Sequence, residues 1–361
     1  MEDFLMKKKL GLVYGGKSAE HEVSLSTALA VLGAIDFTKY EVTPIFITKQ
    51  GEWRCGAVVD EPLATIEALC LPGENRPHNI MSFLVDEQQN LRQFDVIFPL
   101  LHGTNGEDGT VQGLFEVLNL PYVGNTVLGS STGMDKVVMK QLFEMAGLPQ
   151  LPYIHFIQAE WQENQEVILQ QCEDNLTYPM YVKPANLGSS VGISKAQTRE
   201  ELSQAIEFAL KYDRKIVVEQ GVIAREIELA VLGNDHPSVS VAGEIKSVSD
   251  FYDYESKYAD GSTELIIPAK LANHTYLSLQ TMAKKAFKAI DGSGLVRADF
   301  FVTADETIYI NEVNTLPGFT PVSMYPLLWQ KTDVAYTDLI DRLIALAFER
   351  HEQKQKLQFN L

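Results

Sequence analysis

Two acidic residues and one amide near the C-terminus have the types and spacing of a divalent-cation site. The segments 294–303 and 307–314 are rich in β-branched and apolar residues, and the short polar stretch between them predicts a β-hairpin. If the turn is symmetric, paired positions sum to 611, which sets Asp299 opposite Glu312. Two carboxylates and the amide oxygen of Asn314 are hard ligands that suit Mg²⁺, which proteins hold with few side chains and substrate phosphates.

Arg297 lies two residues before Asp299, so the two side chains share one face of the predicted strand. The same register sets Arg297 opposite Asn314. An edge hairpin whose acidic side chains simply face water would show the same pattern. The segment 314–320 favours the metal site, because a glycine-containing turn directly after a strand can present backbone N–H groups to an anion.

A second group of residues has the chemistry of a phosphate site. Lys183 ends a predicted buried strand, and 188–192 follows as a loop whose glycines let backbone amides approach phosphates. Lys136 adds a cation at the start of a predicted helix. An ordinary loop with glycine and serine would look similar, so the interpretation depends on the metal hairpin. Together the two groups predict a clamp for ATP and Mg²⁺.

The segment 11–18 matches the pattern G-x-x-x-x-G-K-[ST] of a P-loop, but its context is wrong for one. A P-loop follows a strand and leads directly into a helix, whereas residues 10–14 are themselves the predicted strand, which places Gly11 inside the sheet. A P-loop kinase or NTPase that uses Lys17 therefore stays a minor alternative. A dinucleotide-binding oxidoreductase is another, although no G-x-G-x-x-G motif opens the first predicted helix.

The composition is that of an ordinary globular protein of two or three domains: the 361 residues are 45% hydrophobic and 22% charged. With 48 acidic and 30 basic side chains the net charge is −18, which disfavours nucleic acid and anionic membranes as partners. We expect no signal peptide and no apolar run of the length of about 18 residues that spans a bilayer. Three cysteines in unrelated contexts predict neither disulfides nor a zinc site, and hence a cytoplasmic protein.

The order of the predicted elements gives the fold class. In the first part of the chain strands alternate with helices, which predicts an open α/β domain with a parallel sheet. The motifs at the ends of its strands are where such folds bind ligands. We expect three domains, at 1–130, 131–226 and 227–361, the last with the metal hairpin and a polar lid loop at 247–263.

Seven motifs occur together in one order: GGKSAEHEVSL, LHGTNGEDGTVQG, MDK, VKPANLGSSVG, FYDYESKY, RADFF and NEVNTLPGFT. With them the chain resembles the D-alanine–D-alanine ligases of the ATP-grasp superfamily over nearly its whole length. The resemblance implies a three-domain α/β architecture with α+β elements, in which ATP is held between the second and third domains. It also implies a reaction that joins two D-alanines through an acyl phosphate, for peptidoglycan precursor synthesis.

The resemblance assigns roles to the residues at matching positions. Those implied in catalysis are Glu20, Ser189, Tyr258 and Arg297. Those implied in substrate binding are Val23, His102, Lys257, Gly318 and Ser323. Those implied in ATP binding are Lys136, Lys183, Ser189, Ser190, Glu219, Gln220, Val222 and Glu226. The implied ligands of two Mg²⁺ ions, for which Mn²⁺ can substitute, are Asp299, Glu312 and Asn314.

Two of these groups are implied to act together. Glu20 would bind the ammonium of the first D-alanine and would be positioned through Ser189 and Tyr258. Arg297, with the backbone at Gly318, would form an oxyanion site for the tetrahedral intermediate. The resemblance further implies a homodimer with D-alanine and ATP as its small-molecule partners.

The chain also departs from the family pattern. Gln220 stands where many relatives carry a lysine, and the segment 48–90 carries no motif of the family. Lys257 and Tyr258 resemble the pair found in dipeptide-forming members rather than in ligases that accept D-lactate. Another ATP-grasp ligase that joins a different acid and amine, or that uses D-lactate, stays as the main alternative.

Overall fold

The computed structural model describes residues 6–72, 81–86, 88, 90–247 and 263–358, which form three β-sheets flanked by helices. Lys257, Tyr258 and nearly all of the predicted lid loop lie outside the described residues. No helix in the described part of the chain is both long and apolar enough to cross a lipid bilayer.

The N-terminal unit is an open sheet with helices packed on it. Its strands are β1 (Lys8–Gly15), β2 (Tyr40–Ile47), β3 (Trp53–Cys55) and β4 (Val96–Pro99). Its helices are α1 (His21–Leu32), α2 (Ile66–Leu69), α3 (Met81–Leu84), α4 (Thr110–Val117) and α5 (Val127–Met134). The strand order is β3-β2-β1-β4; β1 pairs in parallel with β2 and β4, while β3 adds an antiparallel edge. The predicted parallel α/β sheet is therefore confirmed.

Two glycines explain how β1 ends and why the P-loop pattern is a coincidence. Gly15 has φ +91°, and a Cβ there would lie 2.1 Å from the carbonyl oxygen of Ile47, so only glycine fits this strand end. Gly11 lies inside β1, where a Cβ would come within 2.7 Å of a β4 side chain. Because the first helix begins only at His21, the prediction that 11–18 is not a P-loop is confirmed.

The middle of the chain forms a four-stranded antiparallel sheet with its own core. Its helices are α6 (Lys136–Met145), α7 (Gln158–Glu163), α8 (Gln165–Asn175) and α9 (Arg199–Ala209). Its strands are β5 (Tyr153–Ile157), β6 (Met180–Pro184), β7 (Ser194–Ala196) and β8 (Lys215–Gln220), in the order β5-β8-β6-β7. The fully buried members of this core all lie between residues 156 and 218, so this unit packs largely on itself.

The C-terminal part forms a five-stranded antiparallel sheet. Its strands are β9 (Arg225–Gly233), β10 (Ser238–Ser247), β11 (Thr263–Ile266), β12 (Gly294–Val302) and β13 (Ile308–Asn314), in the order β11-β10-β9-β12-β13. Its helices are α10 (Asn273–Ala289), α11 (Met324–Gln330) and α12 (Tyr336–Gln355). The first strand follows β8 after a four-residue connection at 221–224, which forms the joint between the two antiparallel sheets.

The predicted hairpin is the pair β12 and β13, and its register is informative. Asp299 pairs with Glu312, as predicted, but Val302 pairs with Ile308, whose numbers sum to 610 rather than 611. A β-bulge at Asn311 accounts for the difference, because it adds one residue to β13 between the turn and the carboxylates. The register prediction was therefore right at the carboxylates and wrong near the turn.

The N-terminal and C-terminal sheets share one hydrophobic core. Leu12 of β1, Leu232 of β9 and Leu343 of α12 all belong to it. Helix α6 directs Met139 and Phe143 into a second core that also lies under the five-stranded sheet. The three predicted domain ranges stay a prediction. Helix α6 was assigned to the second domain, but it also contributes to the core under the sheet of the third.

Asn125 joins the N-terminal unit to the region of the β12–β13 hairpin by three buried hydrogen bonds. Its amide nitrogen donates to the carbonyl oxygens of Leu295 and Thr315, at 2.7 and 2.8 Å. Its amide oxygen accepts from the backbone N–H of Ser293 at 2.8 Å. The side chain is 1% exposed, so no water can replace these partners without rearrangement.

Replacing Asn125 with alanine should lower the free energy of unfolding by about 2–4 kcal/mol, because three buried backbone groups would lose their partner. Denaturant unfolding measures the change. The control is Asn175→Ala, which removes an exposed asparagine on α8 and should change stability by less than about 0.5 kcal/mol. If the two substitutions lowered the free energy of unfolding equally, this would contradict the proposal that Asn125 holds the two units together.

Candidate active site

A buried carboxylate lies between two lysines where the middle sheet approaches the C-terminal sheet, a region called the cleft below. Glu219 on β8 is 2% exposed and accepts from Lys183 on β6 at 2.5 Å through Oε2. Its other oxygen, Oε1, accepts from Lys140 on α6. The strands β6 and β8 are paired neighbours, and α6 crosses to meet them, so three elements place these charges.

Glu219 and Lys183 each favour the charged state of the other. Burial alone would raise the pKa of Glu219, but the charges of Lys140 and Lys183 outweigh it and lower that pKa to about 2. Burial would lower the pKa of Lys183, and the carboxylates of Glu219, Glu312 and Glu226 raise it instead. Glu312 and Glu226 belong to the C-terminal sheet, so carboxylates of both sheets act electrostatically on Lys183.

Lys136 connects the loop 185–192 to the metal hairpin. Its ammonium donates to the carbonyl oxygen of Leu187 at 2.7 Å and lies 3.7 Å from a carboxylate oxygen of Glu312. Helix α6 begins at this residue, and the side chain of Asp135 caps it by accepting from two backbone N–H groups. The predicted cations Lys136 and Lys183 are thus near one wall, with the predicted metal ligand Glu312 facing them.

The loop 185–192 reaches across to the start of α1. Ser189 and Ser190 both have positive φ, at 51° and 58°, which is uncommon outside glycine and asparagine and marks a loop held by its contacts. The Ser189 hydroxyl donates to Glu20, a residue 169 positions earlier in the chain. The structure therefore brings together these two predicted residues from separate units.

Glu20 stands next to a buried histidine. The loop at Gly103 approaches Glu20 so closely that a Cβ there would lie 2.6 Å from its carboxylate, which requires the glycine and its φ of +73°. His102 is 4% exposed, and its ring contacts Thr27 at 3.2 Å and Glu107 at 3.4 Å. Burial would lower the pKa of His102, but the hydrogen bond and charge of Glu107 raise it.

Glu107 completes this histidine site. Burial and the nearby charge of Glu20 raise its pKa, whereas the hydrogen bond to His102 opposes that rise. A protonatable pair of this kind beside a carboxylate can hold the charged groups of an amino acid.

The metal hairpin holds its arginine against its own acidic residue. Arg297 donates to both oxygens of Asp299, at 2.8 and 2.7 Å, and lies 3.0 Å from Glu228 on β9. Asn314 also donates to Asp299, at 2.9 Å. These carboxylates raise the pKa of Arg297 well above its ordinary range, although burial opposes them.

The donor set fits a divalent cation that is also bound by phosphates. Asp299, Glu312 and Glu228 carry three negative charges against the single positive charge of Arg297, which leaves two on these strands. In the described part of the chain no three His, Cys, Asp or Glu side chains are placed to hold a metal alone. The amide of Asn314 and phosphate oxygens would therefore have to complete the coordination.

The other predicted residues lie on several different elements. Ser323 is the N-cap residue of α11, and its hydroxyl contacts Thr320 at 2.8 Å and packs beside Gly318. Gln220 directs its side chain to the backbone N–H of Thr177, away from Glu219. The remaining predicted residues are half-buried: Ser190, Val23 on α1, Val222 in the 221–224 connection and Glu226 on β9.

Three charged residues of this cleft were not predicted from the sequence. Lys140 follows Lys136 by four positions on one helix, which is a signal that could have identified it. Glu107 stands inside the HGTNGEDG motif, five positions after His102, but nothing in the sequence shows that the two meet. Glu228 joins Arg297 only through the pairing of β9 with β12, which the sequence did not predict.

The fold and the cleft define the class of the protein. The middle sheet supplies Lys183 and Glu219, the C-terminal sheet supplies Asp299 and Glu312, and α6 adds Lys136 and Lys140, as in ATP-grasp ligases. The family model for the N-terminus of D-ala D-ala ligases matches residues 9–125, and the model for the C-terminus matches residues 142–345.

Individual proteins agree with this assignment. A D-alanine–D-alanine ligase of Bacillus licheniformis is 58% identical over 98% of this chain and 99% of its own length. A solved D-alanine–D-alanine ligase from Coxiella burnetii has TM-score 0.81 and 32% identity, covering 97% of this chain and 96% of the other. A solved D-Ala:D-Ser ligase from Enterococcus faecalis has TM-score 0.80 and 34% identity, with coverage of 95% and 100%. The chain belongs to the D-alanine–D-alanine ligase family.

Replacing Glu219 with glutamine should destabilise the protein by about 3–5 kcal/mol at pH 7, because two buried ammonium groups lose their partner. The pKa of Glu219 is lower in the folded chain, at about 2, than its ordinary 4.5, so the ionised carboxylate favours folding. That stabilisation is complete above about pH 5 and is lost as the pH falls towards 2. The difference between the variant and the wild type should therefore shrink below about pH 4.5.

Denaturant unfolding at a series of pH values tests this. The matched control is Glu166→Gln, whose carboxylate is 79% exposed in its pair with Arg199 and should change stability by less than about 0.5 kcal/mol. An undiminished difference between Glu219→Gln and the wild type at pH 3.5 would contradict the assigned pKa.

Proposed function

We propose that the protein joins two D-alanines into D-alanyl-D-alanine and converts ATP to ADP and phosphate. The observation that carries this proposal is the meeting of three charged groups around one cleft. These are the lysines beside Glu219, the carboxylates of β12 and β13, and Glu20 held by Ser189. The first two suit a nucleotide with a divalent cation, and the third suits the ammonium of an amino acid.

The ATP side of the site follows from the charges. Lys136 and Lys183 would neutralise phosphates, and the loop with Ser189 and Ser190 would cover them. The adenine would lie near Glu219, with Gln220 and Val222 at its edge and Glu226 towards the ribose.

The acidic wall supplies the cation site of the proposal. Asp299, Glu312 and Asn314 would hold Mg²⁺, or Mn²⁺ in its place. The bound cation would supply charge neutralisation at the phosphates.

The reaction that these groups serve has two steps. A carboxylate oxygen of the first D-alanine takes the γ-phosphoryl group of ATP, which releases ADP and gives an acyl phosphate. The amine of the second D-alanine then attacks the acyl carbon, and phosphate leaves as the amide forms and the amine loses a proton. Arg297 and the backbone N–H at Gly318 would stabilise the oxyanion of the second step.

The amino-acid side uses the N-terminal unit. Glu20 would bind the ammonium of the first D-alanine, with Val23 and His102 beside that substrate. Ser323 would approach the carboxylate of the second. Lys257 and Tyr258 complete the proposed set, and their role stays a prediction because they lie outside the described residues.

A second candidate is a ligase with another second substrate. The solved D-Ala:D-Ser ligase has nearly the same TM-score as the D-alanine–D-alanine ligase, so the fold alone does not choose between them. The 58% identity to a protein named D-alanine–D-alanine ligase favours the dipeptide of D-alanine. We also propose action in the cytoplasm, where ATP is available, as a homodimer.

Phosphate release from ATP should depend on D-alanine, with D-alanyl-D-alanine as the product. Release measured with D-alanine, L-alanine, D-serine and D-lactate, each with ATP and Mg²⁺, compares the candidates directly. Release with L-alanine but without D-alanine would refute the proposal. A mixed product formed in preference to the D-alanine dipeptide would favour the second candidate.

Two substitutions separate this site from the P-loop alternative. Glu312→Gln should lower turnover by at least about 10²-fold, since it removes a charge aimed at the cation. Lys17→Ala should leave turnover within about twofold of wild type, because Lys17 is exposed and its side chain lies beside Gly51. The opposite pattern in the same phosphate-release assay would overturn the assignment of the cleft.

A further inference from the structure

Lys140 is a buried cation to which neither the family resemblance nor the proposed reaction assigns a role. Its side chain is 2% exposed, and its ammonium lies 5.3 Å from the centre of the Tyr153 ring. The only group of opposite charge that contacts it, among the described residues, is Glu219. A lysine at this position costs folding free energy, because its charge is removed from water.

Glu219 engages a different lysine with each oxygen. Lys140 holds Oε1 and Lys183 holds Oε2, so the carboxylate is shared between a cation deep in the protein and a cation at the cleft. Lys183 is the more exposed of the two, at 12% against 2%. Without Lys140, the full negative charge of Glu219 would act on Lys183 alone and draw its ammonium away from the cleft.

Helix α6 holds Lys140 between the two antiparallel sheets. Its Val137 packs against Val217 of β8, the strand that carries Glu219. A neighbouring face of the helix packs Met139 and Phe143 into the core under the five-stranded sheet. The backbone carbonyl of Lys140 also accepts from Gln150 at 2.8 Å. The ammonium is therefore carried by a helix that packs on both sheets, while its partner Glu219 belongs to the middle sheet alone.

Lys140 also interacts electrostatically with Glu312, a predicted metal ligand. The pKa of Lys140 is lowered by burial, against the charges of Glu219 and Glu312, while Lys183 lowers it further. Lys140 thus belongs to the same electrostatic group as the residues on both walls, although it lies behind them.

We infer that Lys140 is a positioning residue for the nucleotide: it acts through Glu219 to keep the Lys183 ammonium directed into the cleft. The inference rests on the proposed function, since the ligand of Lys183 is the ATP of that proposal. Lys140 itself need not touch the ligand.

Binding of ADP with Mg²⁺, measured by isothermal titration calorimetry on the full chain, tests this. Lys140→Met keeps the length and apolar stem of the side chain and should weaken ADP binding about 10- to 100-fold. The KM for ATP should rise accordingly, and the KM for D-alanine should stay within about twofold of wild type. Lys140→Arg, which restores charge and donors, should recover most of the affinity.

Two further variants separate positioning from a purely structural role. Phe143→Leu perturbs the packing of the same helix without removing a charge, so it should lower the melting temperature and leave ADP binding unchanged. In a Glu219→Gln background, Lys140→Met should have little additional effect on ADP binding, because the residue through which it acts is already altered.

Distinct results would overturn the inference and the proposed function. Unchanged ADP affinity in folded Lys140→Met, or an equal loss with and without Glu219→Gln, would overturn the inference alone. If Lys140→Met does not fold, Lys140→Gln makes the same comparison with the same expected loss, and unchanged affinity would again overturn it. A wild-type chain that binds no ADP and releases no phosphate with D-alanine would instead overturn the proposed function.

Discussion

The cost of burying charge is the constraint on which this cleft depends. Glu219 and Lys140 are each at most 2% exposed, and such groups persist in the charged state only when each has a close partner of opposite sign. The structure meets this requirement by sharing one carboxylate between two ammonium groups. Lys183, the more exposed of the two lysines, is the one that lies at the cleft.

Helix α6 connects this charged group to the rest of the protein. It begins with Lys136 near the metal hairpin and continues through Lys140 to Phe143 in the core. Because the N-terminal and C-terminal sheets also share a core, the helix and the acidic wall belong to one continuous packed body. The middle sheet has its own core, and it contacts the rest through Val137 of α6, which packs against Val217, and through the charged groups at the cleft.

The sequence predicted those parts of the site that depend on local spacing. Asp299 and Glu312 pair as expected, because strand alternation and a short turn fix the register. The sequence did not predict the bulge at Asn311. In so short a strand, the hydrophobic pattern is compatible with the pairing both with and without one extra residue. Contacts between distant segments, such as Glu228 with Arg297, depend on strand order, and no periodicity in one strand encodes the neighbour it will have.

Arg297 shows how strand geometry prepares a group for the proposed chemistry. Residues two apart share a face, so its guanidinium meets Asp299 on its own strand, and pairing with β9 adds Glu228. A guanidinium held by two carboxylates keeps its charge and orientation before any substrate is present. Donors fixed in this way need no reorganisation when negative charge develops, which is the condition under which electrostatic stabilisation of an oxyanion is strongest. The acidic wall would then serve both steps of the reaction, by binding the cation and by holding the arginine in place.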